Sequence, residues 1–297
     1  MKVSLSDVEY GMEKAQMSTI LVTGTSGFIG KAFASSLAER HNVICMSRKD
    51  LGLGLTHICG EFHSPDDLKL LDKFNIDAVV HLAAVTGGGS EEECLKINAE
   101  GTRRLMQYLI DRGCKKFVLA SSIAVVGIQR ADFKPLQFPI SDEHPCLDCG
   151  GYGFSKYIME EVSRYKQRQS PAIDVINIRL CSICPDDKPA ELVELGKKGE
   201  WAFAMVAIMC LSDAVRAFTM AVESPMKPGV RVMNASAPRT WCKPPVADLL
   251  HAWYGDNIDA SYFEKPGNKW ASVFDVNRIK EEIGFEAKLL PSGQGEE

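Results

Sequence analysis

The sequence lacks any long apolar run, any long run of one charge and any internal repeat. No apolar stretch reaches the roughly 18 residues that a membrane-spanning helix needs, so we expect no membrane partner. The formal net charge is only −5, which gives no electrostatic support to a nucleic-acid partner either. Residues 1 to 16 are polar and contain no apolar core of a secretory signal. We therefore expect a cytoplasmic protein whose residues 1 to 16 form an N-terminal extension.

The composition is that of an ordinary globular protein. Apolar residues make up 45% and charged residues 25% of the 297 positions, and a chain of this length can bury a full core. Ten cysteines are present, yet disulfide frameworks belong to small secreted domains. Because most of the cysteines stand within apolar runs, we interpret them as buried free thiols.

Short β-rich runs alternate with helical patterns along the first half of the chain. Strands are predicted at residues 18–24, 42–47, 55–60, 77–84, 115–122 and 174–180, and helices at residues 28–40, 66–74, 91–113 and 152–168. Strands that are apolar throughout and separated by helices indicate a parallel sheet that is covered on both faces. We expect a doubly wound α/β domain over residues 17 to 185.

The pattern loosens after residue 185. Shorter elements follow: helices are predicted at residues 212–223, 246–253 and 276–283, and a strand at residues 230–236. We expect residues 186 to 297 to form mainly a smaller substrate-binding lobe, part of which returns to the sheet.

A GxxGxxG arrangement stands directly after the first predicted strand and opens the first predicted helix. Residues without a Cβ atom let the backbone approach a pyrophosphate, whose charge is then bound by free N–H groups at the helix N-terminus. An ordinary glycine-rich turn is the alternative. The position between strand and helix favours a Rossmann-type dinucleotide site formed by Gly24, Thr25, Ser26, Gly27, Phe28, Ile29 and Gly30.

The second predicted strand ends in Met46-Ser47-Arg48 and carries no acidic residue there. An acid at this place bonds the 2′-hydroxyl of NAD, whereas an arginine accommodates the 2′-phosphate of NADP. Arg48 therefore favours NADP over NAD slightly. The alternative is that Arg48 is a solvated loop residue, since Lys49 and Asp50 follow it.

Tyr152 and Lys156 have the YxxxK spacing, which places both side chains on one face of a helix. An ammonium group beside a phenol favours the phenolate, so the tyrosine can exchange a proton with a substrate oxygen. A surface pair is the alternative. Ser122 ends the fifth predicted strand, at the sheet edge where ligands of open α/β folds bind, and its hydroxyl can hold the reacting oxygen.

Taken together, these motifs resemble the extended short-chain dehydrogenase/reductase family, the NAD(P)-dependent epimerase/dehydratase group. The matches run in order along the chain: TGTSGFIG (23–30), GEF (60–62), HLAA (81–84), NAEGT (98–102), SSIAVVG (121–127), YGFSK (152–156) and DVNRIKEEIGF (275–285). The resemblance implies that Ser122 orients the substrate, that Tyr152 is the catalytic acid/base, and that Lys156 modulates Tyr152 and binds the nicotinamide ribose.

The resemblance also implies roles outside the catalytic residues. Glu61 stands where the family has an adenine-contacting aspartate, Asn98 matches a structural asparagine, and Leu82, Ala83 and Ala84 line the cofactor. Family members commonly pair through the two helices predicted at residues 91–113 and 152–168, so we expect a homodimer.

Three departures from the family pattern bear on the substrate. Val126 replaces an aromatic residue near the substrate, the motif from Arg179 to Pro185 is one residue shorter, and only about 26 residues separate Pro185 from the helix at residues 212–223. Enzymes that act on nucleotide sugars commonly have a longer stretch there. Ile123 and Ala124 offer no acidic pair, which argues against dehydration.

Two CxxC pairs, Cys146/Cys149 and Cys181/Cys184, give the ligand count of a zinc site. The fold needs no metal because its core is large, so we expect no metal site. A redox-sensitive pair is a second alternative. The interpretation that we favour is unbridged thiols near the substrate pocket.

These observations predict an enzyme that transfers a hydride between NADP or NAD and a hydroxyl or carbonyl carbon of a sugar or sugar nucleotide. If the cofactor is reoxidised within each turnover, the net reaction is an epimerisation. A second hypothesis is a reductase or dehydrogenase that acts on a smaller sugar acid, lactone or aldehyde. A hypothesis of another class is a non-catalytic cofactor-sensing regulator, which would typically lack the tyrosine or the lysine.

Overall fold

The computed structural model describes residues 17 to 86 and 88 to 294. The extension predicted for residues 1 to 16 lies outside these ranges. A seven-stranded parallel sheet forms the centre of the molecule, in the order β3-β2-β1-β4-β5-β6-β9. Its strands are β1 (Thr19–Thr23), β2 (Asn42–Ser47), β3 (Thr56–Cys59), β4 (Ala78–His81), β5 (Lys116–Ser122), β6 (Asp174–Leu180) and β9 (Gly229–Ala235).

Helices cover both faces of the sheet, which confirms the doubly wound α/β prediction. The α-helices are α1 (Phe28–Leu37), α2 (Pro65–Leu68), α3 (Glu91–Cys94), α4 (Thr102–Ile110), α5 (Gly151–Gln169), α6 (Ala202–Val206), α7 (Leu211–Glu223), α8 (Val246–Tyr254) and α9 (Asn277–Ile283). On one face Phe33 of α1 packs edge-on against Phe218 of α7, with ring centroids 6.0 Å apart. On the other face Leu105 and Met159 pack within a second buried cluster.

The ends of most predicted strands and helices agree with the structure to within a few residues. Two predicted helices differ from the observed ones. Residues 91–113 contain α3, then a π-helical stretch from Leu95 to Gly101, then α4. The predicted helix at residues 66–74 is shorter, since α2 gives way to a 3₁₀ turn at Lys69–Leu71. Hydrophobic spacing alone does not reveal an inserted residue or a tightened turn, because both retain the buried stripe.

The segment after residue 185 contributes to two sheets. Strand β9 is the edge strand of the large sheet, beside β6, and β8 (Ile208–Cys210) pairs in parallel with β7 (Ser182–Cys184). The return to the sheet agrees with the prediction, whereas the boundary at residue 185 and the substrate-binding role of the lobe stay predictions. No helix within residues 17–86 and 88–294 combines the length and apolarity needed to cross a bilayer.

The strand order reverses between β1 and β4, with β2 and β3 on one side and β5, β6 and β9 on the other. Connections leaving these two strands diverge to opposite sides, so a crevice opens beyond their carboxyl ends. A cavity of about 750 Å³ lies at this position. The fold thus gathers the ends of β1, β2, β4, β5 and β6 around one space.

Candidate active site

The glycine turn between β1 and α1 has no room for side chains. Gly24 has φ +75°, and a Cβ atom there would stand 2.6 Å from the backbone nitrogen of Ala83. A Cβ atom on Gly30 would stand 2.2 Å from the carbonyl oxygen of Gly24. Both distances are far inside van der Waals contact, so the close approach of backbone to backbone requires glycine at these two positions.

The N-terminus of α1 is open toward the cavity. This helix has no side-chain cap and no acidic residue in its first turn, so its first N–H groups are free to bind an anion. Seven consecutive residues were predicted to bind the cofactor here, and six of them line the cavity: Gly24, Ser26, Gly27, Phe28, Ile29 and Gly30. The exception is Thr25, which is buried and donates a hydrogen bond to Ser47 (3.1 Å).

The far end of the cavity lies beside the ends of β2 and β3. Ser47 is buried there, donates to the carbonyl of Lys49 (2.8 Å) and contacts His57 Nε2 (3.0 Å). Arg48 is exposed and lines the cavity, as does Glu61, whose carboxylate lies 3.3 Å from His63 Nε2. A cation and no carboxylate therefore stand at the end of β2.

Ser122, Tyr152 and Lys156 line the same cavity as the glycine turn, together with Leu82, Ala83 and Ala84. The Lys156 ammonium donates to the carbonyl of Ala120 (2.7 Å) and lies 5.9 Å from the centroid of the Tyr152 ring. Ser122 Oγ accepts a hydrogen bond from the Ala124 backbone N–H (3.1 Å). The structure thus brings the three predicted catalytic residues together on one wall of the cavity.

Burial is the largest influence on the pKa values of Tyr152 and Lys156. It raises the pKa of Tyr152, and a hydrogen bond with Ser122 lowers that pKa in opposition. Burial lowers the pKa of Lys156 to about 8, against the opposing influence of Cys94 and Glu160. The expectation of a lowered tyrosine pKa is thus not met in the protein alone, because desolvation of the phenolate outweighs the other influences. The positive charge of an oxidised nicotinamide would act in the opposite direction.

Sequence reasoning missed a set of buried groups behind this wall. Ser121 donates to Glu160 (2.6 Å), which also accepts two bonds from Arg179 at 2.9 Å each. His81 is buried between Thr23 and Thr102, and burial, followed by the charge of Lys156, lowers its pKa to about 3. The sequence did offer one signal for the contacts of Glu160: this residue stands one helical turn beyond Lys156, on the same face of α5.

The two CxxC pairs do not converge. Cys181 lines the cavity, Cys146 lines a separate surface cleft beside Arg179, and Cys149 is exposed. Cys184 instead faces Cys210, with 3.7 Å between the sulfur atoms.

Within residues 17–86 and 88–294, no group of three or more His, Cys, Asp or Glu side chains is arranged to hold a metal. Cys181 lies on the wall of the large cavity, so for this residue the interpretation as a thiol near the substrate pocket stays a prediction. Cys146 does not line that cavity, because the loop before α5 places it in the other cleft with Arg179 and Phe154.

The doubly wound sheet, the glycine turn and the cavity at the point where the strand order reverses are features of dinucleotide-binding folds. The model of the NAD dependent epimerase/dehydratase family matches residues 20–191. Because that match covers more than half of the chain, the chain belongs to this family, as the resemblance predicted. The glycine turn fits the cofactor, since a Cβ atom at Gly24 or Gly30 would collide with neighbouring backbone and the turn could not keep the tight shape that a phosphate cradle needs.

The curated relatives include UDP-glucose 4-epimerases. One from Pisum sativum is 28% identical over 209 residues, which cover 63% of this chain and 56% of that protein. One from Cyamopsis tetragonoloba is 30% identical over 188 residues, which cover 56% of this chain and 51% of that protein. The chain thus spans about half the length of the curated relatives that it matches.

Solved structures support the fold. A short-chain dehydrogenase/reductase superfamily protein from Agrobacterium tumefaciens with bound NAD has a TM-score of 0.68 at 22% identity, covering 92% of this chain and 93% of that one. UDP-glucose 4-epimerase from Bifidobacterium longum, in complex with NAD⁺ and UDP, has a TM-score of 0.70 at 18% identity. The match covers 92% of this chain and 94% of that one. At these identities the similarity establishes the architecture alone.

Proposed function

We propose that the chain catalyses nicotinamide-dependent hydride transfer at a hydroxyl or carbonyl carbon of a sugar-derived substrate. The observation that carries this proposal is that Ser122, Tyr152 and Lys156 share one cavity with the glycine turn. A proton donor, an oxygen-orienting hydroxyl and a phosphate cradle are the groups that this chemistry needs side by side.

Each catalytic group has one task in this mechanism. Ser122 holds the reacting oxygen of the substrate by a hydrogen bond, and the Tyr152 hydroxyl gives a proton to that oxygen or takes it away. Lys156, fixed by the Ala120 carbonyl, holds a positive charge 5.9 Å from the centre of the Tyr152 ring. A charge of this sign acts against the burial that raises the pKa of the phenol. A nicotinamide cofactor bound in this cavity would supply or accept the hydride at the adjacent carbon.

The relatives support a sugar nucleotide as the substrate and epimerisation as the net reaction, since they include UDP-glucose 4-epimerases. The second candidate is net oxidation or reduction of a smaller sugar acid, lactone or aldehyde. One observation favours it: among the described residues, the lysine and arginine side chains that line the cavity are Arg48 and Lys156. Arg48 stands at the end of β2 and Lys156 beside Tyr152, so we assign neither to a substrate diphosphate.

The test is a panel of sugar nucleotides, sugar acids, lactones and aldehydes, each incubated with NADP and with NAD. Net redox is followed by nicotinamide absorbance and epimerisation by product analysis. Tyr152→Phe should lower kcat on the order of 100- to 10,000-fold, which is the usual contribution of general acid–base catalysis. The matched control is Tyr157→Phe on the same helix, which lines the separate cleft and should leave kcat unchanged. Unchanged turnover in Tyr152→Phe would refute the mechanism.

We further propose that NADP is bound more tightly than NAD, with Arg48 contacting the 2′-phosphate. Its support is the exposed guanidinium on the cavity wall and the serine at the end of β2. Arg48→Ala should weaken NADP binding about 10- to 100-fold, the usual effect of losing a charged hydrogen bond, and leave NAD binding unchanged. Lys49→Ala is the matched control, because Lys49 is an exposed neighbour outside the cavity lining. Equal losses for NADP and NAD in Arg48→Ala would contradict this assignment.

We also propose that two copies pair through α4 and α5. The support is the family resemblance of these helices, together with the exposed Tyr165 on α5 (44% exposed). Sedimentation equilibrium should give twice the chain mass of 32.7 kDa, and a concentration-independent single-chain mass would refute the pairing.

A further inference from the structure

Three consecutive residues at the end of β5 each meet a different residue of α5. The carbonyl of Ala120 accepts from Lys156 (2.7 Å) and the hydroxyl of Ser121 donates to Glu160 (2.6 Å). Ser122 lies near Tyr152, and its hydroxyl lowers the pKa of the phenol in opposition to burial. The three helix residues are spaced four apart, so they form one stripe on the helix surface. Two of these contacts belong to the proposed catalytic residues, and the third joins Ser121, which also lines the cavity, to Glu160, which does not.

The carboxylate of Glu160 is held in a fixed orientation. It is fully buried and accepts Arg179 Nε on one oxygen and the terminal nitrogen Nη2 on the other, both at 2.9 Å. Two parallel bonds of this kind fix the plane of the carboxylate as well as its position. Arg179 stands opposite Ser121 on the neighbouring strand β6, and its remaining nitrogen donates to the carbonyl of Asp142 (3.0 Å).

The geometry points to Glu160 as a positioning residue of the hydride-transfer site. Anchored by Arg179, it binds Ser121 and keeps the end of β5 seated against α5, so that Ser122 and Tyr152 stand where both reach one substrate oxygen. This inference rests on the proposed function, because positioning has a kinetic meaning only if that chemistry occurs. Glu160 itself is not among the residues that line the cavity.

The charge of Glu160 also reaches Lys156. The titratable groups that face Lys156 are His81 of β4, Cys94 of α3, and Tyr152 and Glu160 of its own helix. The negative charge of Glu160 raises the pKa of Lys156 in opposition to burial. Replacing Glu160 by a neutral group leaves Arg179 positive, so Lys156 should lose its proton at lower pH.

A second buried ion pair at the other end of the same strands provides a control. Asp174, also fully buried, begins β6 and pairs with Arg231 of β9 and with Lys116 of β5, the latter at 3.7 Å. This pair stands at the amino ends of the strands, away from the cavity. Asp174→Asn should therefore lower stability as a buried charge substitution does without altering the catalytic geometry.

The experiment compares Ser121→Ala, Glu160→Gln and Asp174→Asn at saturating cofactor. Ser121→Ala and Glu160→Gln should lower kcat on the order of 10- to 100-fold, as small misplacements of catalytic groups do, with KM for the cofactor within about twofold of wild type. In Glu160→Gln the alkaline limb of the pH profile should move to lower pH. Asp174→Asn should lower Tm and retain the wild-type kcat and pH profile.

A further variant keeps the inference testable if Glu160→Gln does not fold. Glu160→Leu combined with Arg179→Met removes both charges, and apolar replacement of a whole buried pair is often tolerated. This double variant should fold and show a kcat as low as that of Ser121→Ala. If Ser121→Ala and the double variant both keep kcat within about twofold of wild type, Glu160 is a stability residue and the inference fails.

Hydrogen exchange separates this inference from the proposed function. Amides of residues 120–124 should exchange faster in Ser121→Ala than in wild type, and those of residues 116–118 should do so in Asp174→Asn. If the wild-type protein turns over no substrate with either cofactor, the proposed function fails while the exchange result still decides whether Glu160 seats the strand. Unchanged exchange at residues 120–124 would overturn the positioning role.

Discussion

At the scale of single residues, an added methyl group would make its shortest contact at Gly30, among the glycines that the structure describes. The carbonyl oxygen of Gly24 would lie 2.2 Å from a Cβ atom on Gly30, and this obstacle is backbone. Gly30→Ala should therefore push the turn away from the pyrophosphate. Overpacking strain of about 1–3 kcal/mol corresponds to cofactor binding that is about 5- to 150-fold weaker, which fluorescence titration with NADPH measures.

Gly196→Ala is the control for this substitution, because nothing lies within 4 Å of a Cβ atom at that position. It should leave cofactor binding unchanged. Wild-type affinity in Gly30→Ala would show that the turn can open without cost and would remove the argument that it cradles the phosphates.

The pKa of Lys156 sets an expectation for the pH dependence. Burial is its largest cause and lowers that pKa to about 8. A cation whose pKa is lowered loses its proton on the alkaline side, so kcat/KM should fall as the pH rises through about 8. His81 is already neutral throughout this range, since burial lowers its pKa to about 3. A profile measured from pH 6 to 10 that stays flat above pH 9 would contradict a required ammonium at Lys156.

The proposed catalytic residues could be located from the sequence because the placement of each depends on local geometry. Tyr152 and Lys156 are one helical turn apart, and Ser122 ends a strand whose carboxyl edge faces the ligand in any doubly wound sheet. The pair of Glu160 and Arg179 depends on the packing of α5 against β6. No spacing rule connects a helix residue to a particular strand residue, so the sequence could not identify their contact.

At the scale of elements, the π-helical stretch from Leu95 to Gly101 is where the predicted helix and the observed one differ. Asn98 lies within it and bonds the backbone N–H and the carbonyl of Val85, each at 2.8 Å, and Ser155 at 3.0 Å. This asparagine thus ties the loop after β4 to α5. Widened turns of this kind often accompany functional sites, and Val85 lines the cavity.

Asn98→Ala should lower the free energy of unfolding by about 1–3 kcal/mol, because it leaves the buried polar groups around Val85 without partners. The loop that bears Val85 would also loosen, so KM for the cofactor should rise. Urea denaturation and steady-state kinetics measure the two effects. Asn268→Ala, which removes a single partly buried bond of 3.0 Å to the Tyr262 carbonyl, should cost less stability and leave KM unchanged. Equal effects of both substitutions would show that Asn98 has no special role.

The longer helices and strands could be predicted because their periodicity is strong. The parallel sheet could be predicted because its strands are apolar on both faces. The pairing of β7 with β8 could not be predicted, since each strand has only three residues. Short strands carry too little pattern to be distinguished from loops, and their pairing is decided by how the lobe packs on the sheet.

At the scale of the whole molecule, the cavity joins parts that are distant in the chain. Its lining extends from Gly24 in the first βα turn to Ile183 in β7. A cofactor bound there would contact both halves of the sheet. Because the unfolded chain has no such cavity and cannot bind the cofactor, binding should stabilise the folded protein by mass action. The size of that stabilisation reports affinity even when no substrate is known.

NADP should therefore raise Tm more than NAD at equal concentration. A tenfold difference in Kd corresponds to about 1.4 kcal/mol, which is a difference of about 2 °C in Tm for a chain of 297 residues. Differential scanning fluorimetry with both cofactors measures it. Arg48→Ala should abolish the difference by removing the contact with the 2′-phosphate, whereas Lys49→Ala should preserve it. A larger rise with NAD would instead show that the serine at the end of β2 and its arginine neighbour accept a free 2′-hydroxyl, and it would remove Arg48 from the cofactor site.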